Sequence, residues 1–224
     1  LAAMPPRDDP RDAFVTPDGS SLEDLPSGAR VGTSSIRRRA QLARLRPDLE
    51  LVPMRGNVGT RLMKLAKGEA DATFLAEAGL QRLDHDDVRR SPMAVDAMLP
   101  APGQGVLCIQ TRAGDERALE ACALINCPDT ALASAAERAI VQSLNASCRT
   151  PLAAYATVSD GEVNVRAEIL TPDGDRAITG ARQLRGLIAS DRASSRRAAE
   201  IGQDLATYLA EEAGPDLARI FGQQ

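Results

Sequence analysis

Several arginines stand where helices usually avoid them. Arg37 and Arg38 follow Ser34-Ser35, a pair able to cap a helix. They therefore fall in its first turn, where the helix dipole disfavours cations by roughly 0.3–1 kcal/mol each. Arg55 ends an apolar stretch that reads as a strand, and Arg61 enters the first turn of the helix after it. An anion seated on both helix starts offsets this placement, because free backbone N–H groups, cap hydroxyls and planar guanidinium forks all suit a carboxylate or phosphate. The competing reading is that these arginines are solvated, their stems lying over apolar neighbours. A local rule broken twice points to function.

Cys148 is the second feature. It falls in a loop between a helix and a strand, beside Arg149, and a neighbouring cation favours the reactive thiolate. Taken alone, a free cysteine is more often a small buried hydrophobe. Cys108, Cys122 and Cys127 lie in apolar strand or helix surroundings and read as structural. No CxxC pair occurs and His85 is the only histidine, so no metal site is expected. Pro102-Gly103-Gln104-Gly105 could bring backbone N–H groups to a ligand or could simply turn the chain. Lys64 and Lys67 read as solvated helix positions, and no Asp or Glu pair stands out as a general acid and base.

Charge supports the anion reading. Between Arg30 and Lys67 ten basic residues face only Asp48 and Glu50, a local +8 in a chain of net charge -4, which leaves -12 for the rest. One basic island in an acidic protein suits a small anionic molecule better than nucleic acid, and the island holds no Phe, Tyr or Trp on which bases could stack. No apolar run approaches the ~20 residues of a bilayer span and no signal-like segment is seen, so a cytoplasmic protein with free thiols is expected.

The elements must present these groups together. Ala29 to Thr33 reads as a strand, followed by a helix that ends before Pro47. Leu49 to Met54 reads as a second strand, Gly56 to Gly59 as a turn, and Thr60 to Lys67 as a helix with Leu62, Leu65 and Ala66 inward and Gly68 closing it. Ala72 to Ala76 is a fully apolar strand, with a helical start at Ala78 and Gly79. This alternation implies a parallel sheet with helices on both sides, whose C-terminal strand edge is where ligands bind. Val106 to Gln110 reads as a strand in a segment crossing between units. Beyond it come an Ala-rich helix capped by Asp129, a strand from Leu152, a strand alternating through Val163, Val165, Ala167 and Ile169, and a closing amphipathic helix from Arg192 to Ala213. That later unit is α+β.

Five stretches, in order, resemble motifs of the porphobilinogen deaminase family: Arg7-Asp8-Asp9-Pro10-Arg11-Asp12-Ala13-Phe14; Val31-Gly32-Thr33-Ser34-Ser35-Ile36-Arg37-Arg38; Arg55-Gly56-Asn57-Val58-Gly59-Thr60-Arg61; Ala78-Gly79-Leu80-Gln81-Arg82-Leu83; and Leu99-Pro100-Ala101-Pro102-Gly103-Gln104-Gly105. The resemblance implies an α/β domain with a periplasmic-binding-protein-like parallel or mixed sheet, plus a smaller C-terminal α+β domain. The organisation expected is 1–10 as a segment of a first domain or hinge, 11–99 as the substrate and cofactor domain, 100–127 as a crossing remnant of the first domain, and 128–224 as the C-terminal domain with the cofactor cysteine. The resemblance further implies a transferase, a hydroxymethylbilane synthase. Such an enzyme adds four porphobilinogens, each with loss of ammonia, to a dipyrromethane bound through a thioether, then releases the linear hydroxymethylbilane of tetrapyrrole and haem biosynthesis.

By that resemblance Cys148 carries the dipyrromethane. Arg37, Arg38, Arg55, Arg61, Thr33, Ser34, Ser35 and Asn57 hold its carboxylates, and Arg82 and Gln104, with Arg55 and Arg61, meet the substrate. No nucleic acid, membrane or metal partner is implied, and the full-length protein would be a monomer. Around Cys148 the sequence departs from the family, with Ala146-Ser147 in place of two glycines and Arg149-Thr150-Pro151 in place of Gln-Val-Pro. The family's catalytic aspartate lies in a Lys-Asp-Val-Pro stretch that does not occur here, so most of the first domain is expected upstream and the 224-residue chain is expected to be inactive by itself. The alternative is a non-enzymatic anion-binding module on the same fold, which would need neither Cys148 nor the second unit.

Overall fold

The computed structural model describes residues 1–188 and 191–221. Its first sheet is built from β1 (Asp12–Val15), β2 (Arg30–Gly32), β3 (Glu50–Val52), β4 (Ala72–Ala76) and β5 (Arg90–Pro92), in the order β3-β2-β4-β1-β5. β2 runs parallel to β3 and β4, whereas β1 is antiparallel to β4 and β5. The sheet is therefore mixed rather than parallel throughout. α1 (Ile36–Leu45) follows β2, α2 (Val58–Ala66) follows β3 and α3 (Glu77–Arg82) follows β4. Because β2, β3 and β4 are mutually parallel, all three helices start at the same sheet edge. The antiparallel register brings Asp12 opposite Ala76, at that edge too.

Alternation along the strands divides the core. Phe14 and Phe74 point to the face covered by Leu42 of α1, while Ala13, Val15 and Leu75 meet Leu65 of α2 and Leu80 of α3 on the other. Helices thus cover both faces. Ser35 caps α1 by accepting from the Arg38 N–H, and the helix ends at Leu45, two residues before Pro47, which could not continue it. α2 starts earlier than expected, at Val58 with Asn57 as cap, because Gly56 already supplies the turn; Ala66 is exposed rather than inward.

The second sheet is an antiparallel meander of β6 (Leu152–Ser159), β7 (Glu162–Leu170) and β8 (Ala177–Leu184). Asp160 and Gly161, both at positive φ, make its first hairpin turn. One face packs on α5 (Pro128–Ser143) and α6 (Arg192–Ala213), burying Leu132, Ile140, Val165, Leu205 and Leu209, each worth roughly 1.5–3 kcal/mol. Small residues let α5 and α6 approach closely: a Cβ on Gly202 would collide with the Ala136 carbonyl. A 3-10 turn and α7 (Leu217–Phe221) follow α6; residues 222–224 of the expected C-terminal unit lie outside the described residues. At the start of α5, Cys127 rather than Asp129 holds the cap position, and Asp129 lies in the first turn.

Between the sheets runs an irregular stretch with one helix, α4 (Glu116–Ala123). Val106 to Gln110 is not a strand; Ile109 makes a single bridge with Ala3, and no further strand lies beside it among the described residues. Cys108 is accordingly exposed, not buried in a strand, whereas Cys122 is buried in α4. The opening segment runs alongside this stretch: the Asp8 N–H donates to Gly105 O at 3.0 Å and the Cys127 N–H to Met4 O at 2.7 Å. Gly105, at φ +84°, is required there because a Cβ would sit 2.5 Å from the Asp8 carbonyl.

Candidate functional site: a thiol and a helix start on one cavity

The N-terminus of α1 carries no acidic residue, and Arg37 and Arg38 are buried there. The anion they meet is a side chain the sequence reading missed. Asp12, fully buried, takes Arg37 Nη1 at 2.7 Å and Nη2 at 3.1 Å, and Arg38 Nη2 at 2.6 Å and Nε at 2.9 Å. Gln104 adds a donor to Asp12 at 3.2 Å and another to Pro10 O at 2.6 Å. Burial alone would push the Asp12 carboxyl up; the charges of Arg38 and Arg37 win and hold it below the ordinary carboxylate range. Burial pulls Arg38 down from its usual value, with Asp12 opposing and the positive charges of Arg37 and Arg61 adding to the fall. The guanidinium nonetheless stays protonated.

Two guanidiniums against one carboxylate leave a buried surplus of positive charge. Polar capacity is also left over: Arg37 Nε and Ser34 Oγ are buried without a hydrogen-bond partner. Such groups are costly unless a further acceptor meets them. Arg37 and Ser35 line a cavity of about 350 Å³, together with Ala101, Pro102 and, from the other unit, Val141, Ala146 to Cys148, Thr150 and Leu152. Cys148 is exposed on the loop after α5. Ser147 and Thr150 shape that loop, the Ser147 N–H donating to Thr150 Oγ1 at 3.1 Å and the Arg149 N–H to Ser147 Oγ at 3.2 Å. Side-chain hydroxyls thus fix this turn.

The remaining sequence-derived residues are distributed unevenly. Asn57 caps α2 at the same sheet edge, Arg61 Nε donates to Gly56 O at 2.8 Å, and Arg55 is exposed with no carboxylate partner among the described residues. Lys64, expected to be solvated, donates to Arg55 O at 3.2 Å. Thr33 is fully buried in the β2–α1 turn. Arg82 pairs with Asp8 and donates to Gly105 O at 3.1 Å, so its fork already holds the opening segment to the stretch between the sheets. Arg38, Arg55, Arg61, Arg82, Asn57, Gln104, Ser34 and Thr33 do not line the cavity that Arg37 and Ser35 share with Cys148. Among the described residues no group of three or more His, Cys, Asp or Glu could hold a metal ion, and no helix is long and apolar enough to cross a membrane.

A second buried carboxylate braces the junction. Glu137 of α5 takes Arg7 Nη1 at 2.6 Å, the Gly103 N–H at 2.6 Å and the Ala156 N–H at 2.7 Å. Burial pushes its carboxyl upward, against these donors. The Pro102-Gly103-Gln104 turn is thereby fixed between both units, next to the cavity.

An α/β unit and an α+β unit thus bring a cationic helix start and an exposed free thiol onto one cavity. Residues 1–120 match the family model described as porphobilinogen deaminase, dipyromethane cofactor binding domain, and residues 131–211 match the model of the porphobilinogen deaminase C-terminal domain. The chain belongs to the porphobilinogen deaminase family. It is 45% identical to the porphobilinogen deaminase of Moorella thermoacetica over 100% of this chain and 69% of that protein. It is 48% identical to that of Syntrophotalea carbinolica over 80% of this chain and 56% of the relative, and 52% identical to that of Caulobacter vibrioides over 78% and 54%. The chain thus spans little more than half the length of the latter two.

Proposed function

We propose that the chain forms the cofactor-holding part of a hydroxymethylbilane synthase, with dipyrromethane attached to Cys148 and porphobilinogen as substrate. The observation that carries this reading is the shared cavity: a free thiol opens onto the same space as Arg37. The residues fit the group. Its acetate and propionate arms are carboxylates, and the site offers a surplus positive charge, an unpartnered Arg37 Nε and a helix N-terminus without acids. Bound there, the dipyrromethane supplies the tethered end to which porphobilinogens are added with loss of ammonia.

The chain's own residues do the holding. Cys148 anchors, Arg37 meets the carboxylates in the cavity, and Asp12 fixes Arg37 and Arg38 so that no reorganisation is needed when an anion arrives. Arg55 and Arg61, at the adjacent helix start, receive later arms of the growing polyanion. Arg82 and Gln104, bonded to the opening segment, act on substrate through the position of that segment. The α/β unit is read as periplasmic-binding-protein-like, and residues 1–10 and 100–127, which run side by side, as parts of a further domain. A purely anion-binding module would not need a thiol in this cavity.

The test is peptide mapping by mass spectrometry of protein made in a porphobilinogen-producing host. A dipyrromethane adduct on Cys148, lost in Cys148→Ala, is expected. An adduct on Cys108, Cys122 or Cys127 with Cys148 left unmodified contradicts the reading.

A further inference from the structure

Arg37 is held from behind by a hydrogen-bond chain that crosses from one sheet to the other. Its Nη1 donates to the side-chain oxygen of Gln41 at 2.9 Å. The Gln41 amide nitrogen donates to Leu99 O at 3.1 Å and to Glu168 Oε2 at 3.1 Å. Gln41 is 3% exposed, and Glu168 stands on β7, in the unit that also carries Cys148.

A primary amide can sit either way round, its oxygen and nitrogen exchanged by a half-turn of the last bond. Here its neighbours decide. Glu168, as a carboxylate, and the Leu99 carbonyl only accept, so both require the NH2 group; Arg37 only donates, so it requires the oxygen. Without Glu168 the Leu99 carbonyl alone opposes the reversed amide, and that carbonyl already receives Arg37 Nη1 at 2.9 Å. Reversal would set two donors against each other and displace a guanidinium whose Nε is unpartnered.

We propose that Gln41 is a positioning residue for Arg37 and that Glu168 sets its orientation from the C-terminal unit. Docking of the unit that bears the thiol thereby orients the arginine facing it. The inference rests on the cofactor reading of the cavity and adds to it the residues that assemble the receiving guanidinium.

Arg44 supplies the control. It pairs with Glu168 at 3.7 Å, is itself about half exposed, and is not bonded to Gln41. If Glu168 merely sticks the units together, removing Arg44 and removing Glu168 should have similar effects. Unloaded protein from a host that makes no porphobilinogen is mixed with preformed hydroxymethylbilane, which forms the thioether with loss of its hydroxyl as water and needs no deamination by this chain, and the Cys148 adduct is followed by intact mass alongside the melting temperature. Glu168→Ala is expected to slow loading roughly 3–10-fold, the range of one lost hydrogen bond. Glu168→Gln, which keeps an acceptor, should restore the rate, and Arg44→Ala should load like wild type. Should Glu168→Ala fold poorly, Gln41→Met fills a similar volume without the amide and should slow loading equally. Wild-type loading in both Glu168→Ala and Gln41→Met, or equal slowing in Arg44→Ala and Glu168→Ala, overturns the proposal while leaving the cofactor reading intact. No adduct on wild-type Cys148 removes both.

Discussion

Cys148 and Arg37 line one cavity, the thiol from the loop after α5 and the guanidinium from the first turn of α1. Neither unit makes the site alone. The meeting depends on the Pro102-Gly103 turn, which Glu137 grips, and on the Ala154 N–H, which donates to Pro100 O at 3.1 Å.

Asp12 is the charge on which the helix start depends. Asp12→Ala leaves two buried guanidiniums uncompensated and is expected to cost about 3–5 kcal/mol in a urea unfolding series. The exposed Arg30–Asp71 pair serves as the contrast, and Asp71→Ala should leave the midpoint nearly unchanged. Equal effects would show that Asp12 is not the counter-ion.

Acid should weaken the same cluster. The Asp12 carboxyl is held below its ordinary value of 3.8, so its contribution is present above that value and is lost as pH falls through the lower folded value. Asp12→Asn should flatten the acid limb of the stability curve below about pH 4. Glu137, shifted upward, works in the opposite sense: what it contributes is present below its ordinary 4.5 and declines as pH rises through the raised value. Parallel acid limbs for wild type and Asp12→Asn would count against the assigned shift.

Much of this was legible in the sequence. Ala72–Ala76 and Arg192–Ala213 have the expected bounds because a continuous apolar run and a long amphipathic period need no distant partner to be recognised. β1 was not anticipated, since Asp12-Ala-Phe-Val is a strand only through its pairing with β4 and β5. The same dependence explains the strand wrongly expected at Val106 to Gln110, where strand-like residues find only Ala3. At the site, the misplaced arginines were visible, but their counter-ion lies twenty-five residues before Arg37 and reaches it through sheet register alone. Surplus buried arginine calls for an acid nearby; an Asp directly before Ala-Phe-Val was the available clue.

The helix pair in the C-terminal unit should be intolerant of added volume. A Cβ at Gly202 would meet the Ala136 carbonyl and, at 3.0 Å, the Ala139 Cβ. Gly202→Ala is expected to destabilise by about 1–3 kcal/mol in chemical denaturation. An unchanged midpoint would mean that α5 and α6 can separate freely.

Thiol accessibility should follow the fold. Cys148 and Cys108 are exposed and Cys122 is buried. Under native conditions iodoacetamide should modify the first two and spare Cys122 until the protein is unfolded, as peptide mapping would show.

The most direct measurement compares an anionic with a neutral alkylating reagent. In Arg149→Ala, which removes the neighbouring exposed cation, the iodoacetate-to-iodoacetamide rate ratio is measured at Cys148 and at Cys108. A cavity shared with Arg37 predicts a higher ratio at Cys148, falling toward that of Cys108 as salt is added. Equal ratios at the two thiols in low salt would contradict the convergence of guanidinium and thiol on which the functional reading stands.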